Sequence, residues 1–227
     1  MLAFIDSDSL IKVYFTKRKK KNISIRYAYG KAVISGPRDL TKKEMMDIFY
    51  KYPDLINKYK VDINNLYIYL LGQKYCLKII LSNTNKLVLD DSIVYCYTKK
   101  MDLEYIKDLL KDYYNTNIKK YILDIKDNVI DRIKYVFNDD YSIILINYKY
   151  TTSYYGCNYK NAITISSTLL KFNPKYYEYI LAHEYIHFYV KDHSDLFYNK
   201  LLQIYPDYFD VIKLLKKDTK EFSLSII

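Results

Sequence analysis

At 227 residues, with 50% hydrophobic side chains and only 4 Gly and 4 Pro, the chain is long enough for a sizeable core and too apolar to remain disordered. A net charge of +10 favours contact with polyanions, but in a Lys-rich chain with 30 Tyr and no Trp it reads first as a diffusely solvated basic surface. Cys76, Cys96 and Cys157 are widely spaced with no CxxC, which argues against a disulfide framework, and no stretch approaches the ~18 uncharged apolar residues of a membrane span.

The opening MLAFIDSDSLIK has acids where a signal peptide needs an apolar run. The expectation is a soluble cytoplasmic protein. IKVYF (11–15), ISIRYAY (23–29) and KAVIS (31–35) are short, β-branched and aromatic, and read as a small strand meander closed by Gly36–Pro37. Its first connection carries the basic run KRKKK (17–21). Thr41 opens a helical pattern, TKKEMMDIFYKYPDLINKY, with Glu44 three residues on as a capping box. Strands resume at 66–81, with Gly72–Gln73 as the hairpin turn, and at 92–98. A long helix is expected from Met101 to about Phe137 on the apolar spacing of Leu103, Ile106, Leu109, Leu110, Ile122, Ile125, Val129 and Ile133. YSIILINYKY (141–150) is the most strand-like run, and NAITIS (161–166) is its expected partner.

Asn173–Pro174 then starts a helix, with Asn as cap and Pro at the first position. The coarse picture is α+β, with a β-rich portion over 1–100 and a helix-rich portion over 101–227. No repeat, linker or clear domain boundary separates the two.

The last of these helices carries LAHEYIHFYVKDHSD (181–195), which holds every histidine in the chain. His183 and His187 lie four apart, on one face of a helix and one turn from each other. Two imidazoles so placed can bind one metal ion, and Glu184 can reach a water on that ion without ligating it, the H-E-x-x-H arrangement of zinc hydrolases. A catalytic zinc takes three protein ligands and leaves a fourth position for water. His193, six residues after His187, is the third candidate if the helix ends near Lys191–Asp192 and the chain turns back. Three imidazoles favour Zn²⁺ among abundant metals. The expected chemistry is peptide-bond hydrolysis, with Glu184 as general base.

YYEYILAHEYIHFYVKDHSDLFYNKLLQIYPDYFD resembles the C-terminal signature of the YgjP-like metallopeptidases: an apolar helix, HE-x-x-H, five residues, H-S, an aromatic-rich helix and P-D-Y. His183, Glu184, His187, His193–Ser194, Phe197 and Pro206–Asp207–Tyr208 supply it. The 11–45 region and LYIYLLGQKYCLKII are similar to the family's basic hairpin and its L-x-G-x-x-Y-x-L segment, so the likeness covers most of the chain. It implies a zincin-like domain with the metal helix packed on a sheet, forming one continuous family unit across both portions. Peptide or protein substrates would add as a strand at a sheet edge formed by 141–150 or 161–166. The family's R-W-G-S-C-like stretch is here SYYGC (153–157). Its Arg is absent, Gly156 and Cys157 persist, and Cys157 reads as a buried small apolar residue.

The alternative is a basic nucleic-acid-associated protein, either a DNA-linked protease similar to the SprT-like group or a non-catalytic metal-binding module. Asp192 and Asp195 flank His193 as candidate orienting partners. Tyr198 and Tyr205 lie where a phenol can stabilise an oxyanion, but among 30 Tyr neither is assigned that role. Oligomeric state is not readable from the sequence.

Overall fold

The computed structural model describes residues 2–6, 11–18, 22–28, 30–138 and 145–222. The architecture is α+β, built from six α-helices and three small sheets among the described residues. The chain divides into two compact units: Met1–Leu66 with Lys78–Lys86 and Tyr95–Lys107, and Tyr67–Leu77 with Leu87–Val94 and Asp108–Ile227.

In the first unit β1 (Leu2–Ile5), β2 (Lys12–Arg18), β3 (Ser24–Ala28) and β4 (Lys31–Pro37) form a sheet of order β1–β2–β4–β3. β2 runs parallel to β4, and only β3–β4 is a hairpin. The expected meander is therefore replaced by a crossover. Lys17 and Arg18 end β2, paired with Gly36 and Pro37, and Lys19–Lys21 lie outside the described residues. Gly36–Pro37 thus finish a strand rather than break one; Pro is tolerated at a strand end.

Alternation in β2 points Val13 and Phe15 inward, opposite Ala32 and Ile34 of β4. Helix α1 (Lys42–Tyr50) lays Met45 and Phe49, one turn apart, on that surface. The Thr41–Glu44 capping box is present in full. The expected single helix divides at Lys51–Tyr52, because Pro53 cannot donate the next helical hydrogen bond; α2 runs Pro53–Tyr59.

β5 (Tyr67–Leu70), β6 (Gln73–Leu81), β7 (Lys86–Asp90) and β8 (Ile93–Thr98) form a sheet of order β5–β6–β8–β7. The β5–β6 turn is Leu71–Gly72, one residue earlier than expected, with both φ values positive at 54° and 83°. That is the primed geometry whose twist suits a two-residue hairpin. Strand β7 escaped the sequence reading because KLVLD is short and half exposed.

Helix α3 spans Leu103–Phe137. Within the second unit its buried stripe is Leu110, Tyr114, Ile118, Ile122, Val129 and Ile133. β9 (Leu145–Lys149), β10 (Gly156–Tyr159) and β11 (Ala162–Ser166) form the third sheet, with β11 central, antiparallel to β10 and parallel to β9. The expected pairing of the 141–150 and 161–166 strands is present, although 141–144 lie outside the described residues. Hydrogen-bonded on both sides, β11 cannot be the expected receiving edge; among the described residues the edges are β9 and β10.

Helix α4 (Lys175–Ile186) packs on β10 and β11, and α5 (Asp195–Ile204) and α6 (Tyr208–Phe222) pack on α4. Pro174 is the cap residue, one position later than expected, while the Asn173 side chain still accepts the Lys175 N–H at 3.1 Å. Nine of the twelve α4 residues are buried, on every side of the helix, as in a helix enclosed by its own domain.

Candidate metal centre

His183 and Glu184 lie in the last turn of α4, and His187 is its C-cap residue. The helix ends at Ile186, earlier than the expected Lys191–Asp192. Residues 187–189 turn the chain, Tyr189 N–H donating to the Ile186 carbonyl at 2.9 Å. The early exit shortens the path by which His193, on the segment leading into α5, returns to the helix.

The ligating nitrogens of His183, His187 and His193 all lie within 4.8 Å of one another. His183 Nε2 and His193 Nε2 are 3.0 Å apart. Ring centroids are 5.1 Å apart for His183–His187, 4.9 Å for His183–His193 and 4.7 Å for His187–His193. Around a tetrahedral zinc with Zn–N of about 2.0–2.1 Å, ligand nitrogens sit roughly 3.4 Å apart. The donor set therefore fits one small divalent ion after slight side-chain adjustment.

The rings are oriented from outside. His187 Nδ1 faces the Val190 carbonyl at 3.0 Å, so Nδ1–H donates there and Nε2 is left as the lone-pair donor. His183 Nδ1 faces the Tyr179 hydroxyl at 3.5 Å, one helical turn back. Beneath all three, the fully buried Phe197 ring lies 4.9, 4.7 and 4.8 Å from the imidazoles of His183, His187 and His193. Arg132 of α3 holds the helices in place: Nη2 pairs with Glu178 of α4 at 2.6 Å and Nη1 donates to the Ile204 carbonyl of α5 at 3.4 Å.

Burial, reinforced by the neighbouring His187 and His193, pushes the His183 pKa down to about 3. Burial also lowers that of His187. Neutral imidazoles are what a metal requires. Glu184 is buried, and that raises its pKa to about 7, against a hydrogen bond from the Asn158 main chain that works the other way. The Asn158 side chain donates to the Glu184 carbonyl at 3.0 Å, tying β10 to the helix.

Gly156 of β10 lies directly against Glu184. A Cβ there would stand 2.5 Å from Glu184 Cγ and 2.8 Å from Oε1. Gly156 is thus one of only four glycines because a carboxylate fills the space a side chain would take. Cys157, next to it, is partly exposed rather than buried: it is on an edge strand.

The structure brings together all three histidines and buries Glu184, next to His183 in the chain, against Gly156. No hydrogen bond joins Asp192 or Asp195 to His193 among the described residues. The Tyr205 hydroxyl donates to the Lys175 carbonyl at 3.1 Å, at the far end of α4. Sequence reasoning singled out Phe197 only as part of the family signature, without its place under the rings, and missed Asn158 and Tyr179 as neighbours of the centre. Only the likeness of SYYGC to the family's R-W-G-S-C-like stretch pointed at Gly156.

Three imidazoles and a buried carboxylate, on and just after a helix laid on a small sheet, define the layout of the HExxH metallopeptidases. The family model described as YgjP-like, metallopeptidase domain, matches residues 21–218, and the chain belongs to that family. Among solved structures, the crystal structure of the metallopeptidase zymogen of Methanocaldococcus jannaschii jannalysin aligns over 41% of this chain and 89% of that one, at 22% identity and a TM-score of 0.33. No curated protein matches this chain. No described helix is long and apolar enough to cross a membrane.

Proposed function

We propose that the chain is a cytoplasmic, zinc-dependent metallopeptidase in which His183, His187 and His193 hold one ion and Glu184 is the general base. The observation that supports it best is the convergence of three imidazoles, all with ligating nitrogens within 4.8 Å of one another; the carboxyl of Glu184, which follows His183 in the chain, is raised by burial to about 7. Held by His183, His187 and His193, a zinc ion would lower the pKa of a water at the site toward about 7 and would polarise a carbonyl oxygen. Glu184 takes one proton from the attacking water. The water oxygen bonds to the carbonyl carbon, the C–N bond breaks, and Glu184 delivers the proton to the departing amine.

A general base with a pKa near the working pH both accepts and returns that proton readily. Phe197 closes the centre from below, so water and substrate approach from the exposed His193 side. The substrate is an extended peptide that adds along β10, which among the described residues has β11 as its single partner strand. No observation on the described residues favours the nucleic-acid alternative.

Elemental analysis of protein purified without added metal should find one zinc per chain. Glu184→Gln should keep that zinc and lower peptide cleavage about 10²- to 10⁴-fold. Undiminished cleavage by the variant would refute the role given to Glu184.

A further inference from the structure

From the third histidine a row of aromatic rings runs from α5 to the start of α6, with Tyr198 and Phe209 open to water and Tyr208 buried between them. His193 is itself exposed. The Tyr198 ring lies 6.2 Å from it, inclined by 33°, and stacks on Tyr208 at 6.1 Å and 19°. Tyr208 packs against Phe209 at 4.0 Å. Leu202, one turn beyond Tyr198 on α5, is exposed as well.

Core packing accounts for part of this row only. Tyr208 belongs to the buried side of α6 with Val211, Leu215 and Phe222. Phe209 is 63% exposed and Tyr198 37%. Large apolar side chains clustered in water next to a reaction centre are the mark of a surface that is covered in use. Its occupant follows from its position. The ledge begins at the imidazole ring that is open to solvent, so a peptide presenting its carbonyl to the three histidines carries its flanking side chains past Tyr198. The ledge offers ring faces, which reward flat or bulky apolar groups that stack or meet ring edges and give little to small ones, while the exposed Asp207 and Asp210 beside Phe209 disfavour an acidic one.

We propose that Tyr198 and Phe209, backed by the buried Tyr208 ring, form a side-chain subsite, and that the peptides cleaved at this centre carry a large apolar or aromatic residue beside the scissile bond. The inference rests on the peptidase reading above and names the substrate class that reading leaves open.

The test uses the zinc-loaded full chain on a peptide set that varies one residue on either side of the cleaved bond among Phe, Leu, Ala and Asp. At one of the two positions kcat/KM should favour Phe and Leu over Ala and Asp by roughly 10- to 100-fold. Phe209→Ala, a change at an exposed ring, should shrink that ratio severalfold, and Tyr198→Ala should shrink it further. In parallel, fluorescence anisotropy measures binding of the same peptides to the Glu184→Gln chain.

Cleavage with no apolar preference, or a preference untouched by both variants, overturns the subsite and leaves the peptidase reading standing. Absence of all cleavage, with Phe peptides still bound more tightly than Ala peptides and Phe209→Ala erasing the difference, overturns the peptidase reading and keeps the ledge as a peptide site. If neither cleavage nor discrimination is seen and the chain self-associates through Phe209, the ledge belongs to a second copy and both fail.

Discussion

Two polar clusters, one in each compact unit, solve opposite problems. In the first unit Lys12 Nζ meets Asp102 at 2.9 Å and Glu104 at 3.1 Å, while Tyr14 also donates to Glu104. Asp102 in turn accepts the Glu104 and Tyr105 amides at 2.9 and 3.1 Å. Every charge there has an opposite, and the cluster clips β2 to the first turn of α3. In the second unit three imidazoles face one another with no acid bonded to their ligating nitrogens among the described residues. Donors gathered without a counter-charge satisfy nothing in the protein itself; they suit a cation brought from outside. Paired charges therefore mark a structural clip, and converging lone pairs mark a site.

The contrast can be broken most severely at Phe197. Phe197→Ala removes a fully buried ring and should cost about 3–5 kcal/mol in a denaturant titration, with weakened zinc retention against a chelator because the three rings lose their common support. A smaller loss is expected at the strand. Gly156→Ala drives a methyl into Glu184 and should cost about 1–3 kcal/mol, together with a fall in peptide cleavage while zinc content stays near one per chain.

The clip itself should respond more weakly and in one currency only. Asp102→Ala removes a helix cap and should cost ~1 kcal/mol of stability, with zinc content and cleavage unchanged; a change in either would dissolve the distinction drawn between the clusters. The smallest effect is on pH dependence. Burial works against the Asp102 charge, but the bond from Lys12 and the two amides hold its pKa below the ordinary value. The Tyr14 and Lys12 bonds, against a burial cost, do the same for Glu104. A depressed carboxylate contributes stability above its unfolded pKa of about 4 and loses it as pH falls through the folded value. Denaturation midpoints followed from pH 6 to pH 2 should show a decline that Asp102→Ala flattens.

How far the sequence disclosed all this depended on the range of the interactions. The α1 capping box and the long α3 were readable because the partners lie three to seven residues apart. The histidine cluster was readable because helical spacing and a short return bring its members together. What was hidden depends on distant pairing. The crossover of β2 onto β4 is decided by Val13 and Phe15 meeting Ala32 and Ile34, and local alternation cannot tell a parallel partner from an antiparallel one. The central place of β11, and so the identity of the open edge, follows from bonds on both its sides. The burial of α4 on all faces likewise erased the polar stripe that would have marked its exposed side. Gly156 shows the limit most sharply, since nothing within SYYGC announces a carboxylate 28 positions later.

That enclosed helix bears on how the protein can vary. A side chain facing water can drift with little penalty, but Tyr176–Ile186 has almost no such position. Even its phenols are committed, Tyr177 to the Phe172 carbonyl and Tyr176 to Asp218. A methyl gained or lost there shifts the platform on which His183 and Glu184 stand. Tolerance to mutation along this segment should be as narrow as at the reactive groups themselves, because foundation and workbench are the same eleven residues.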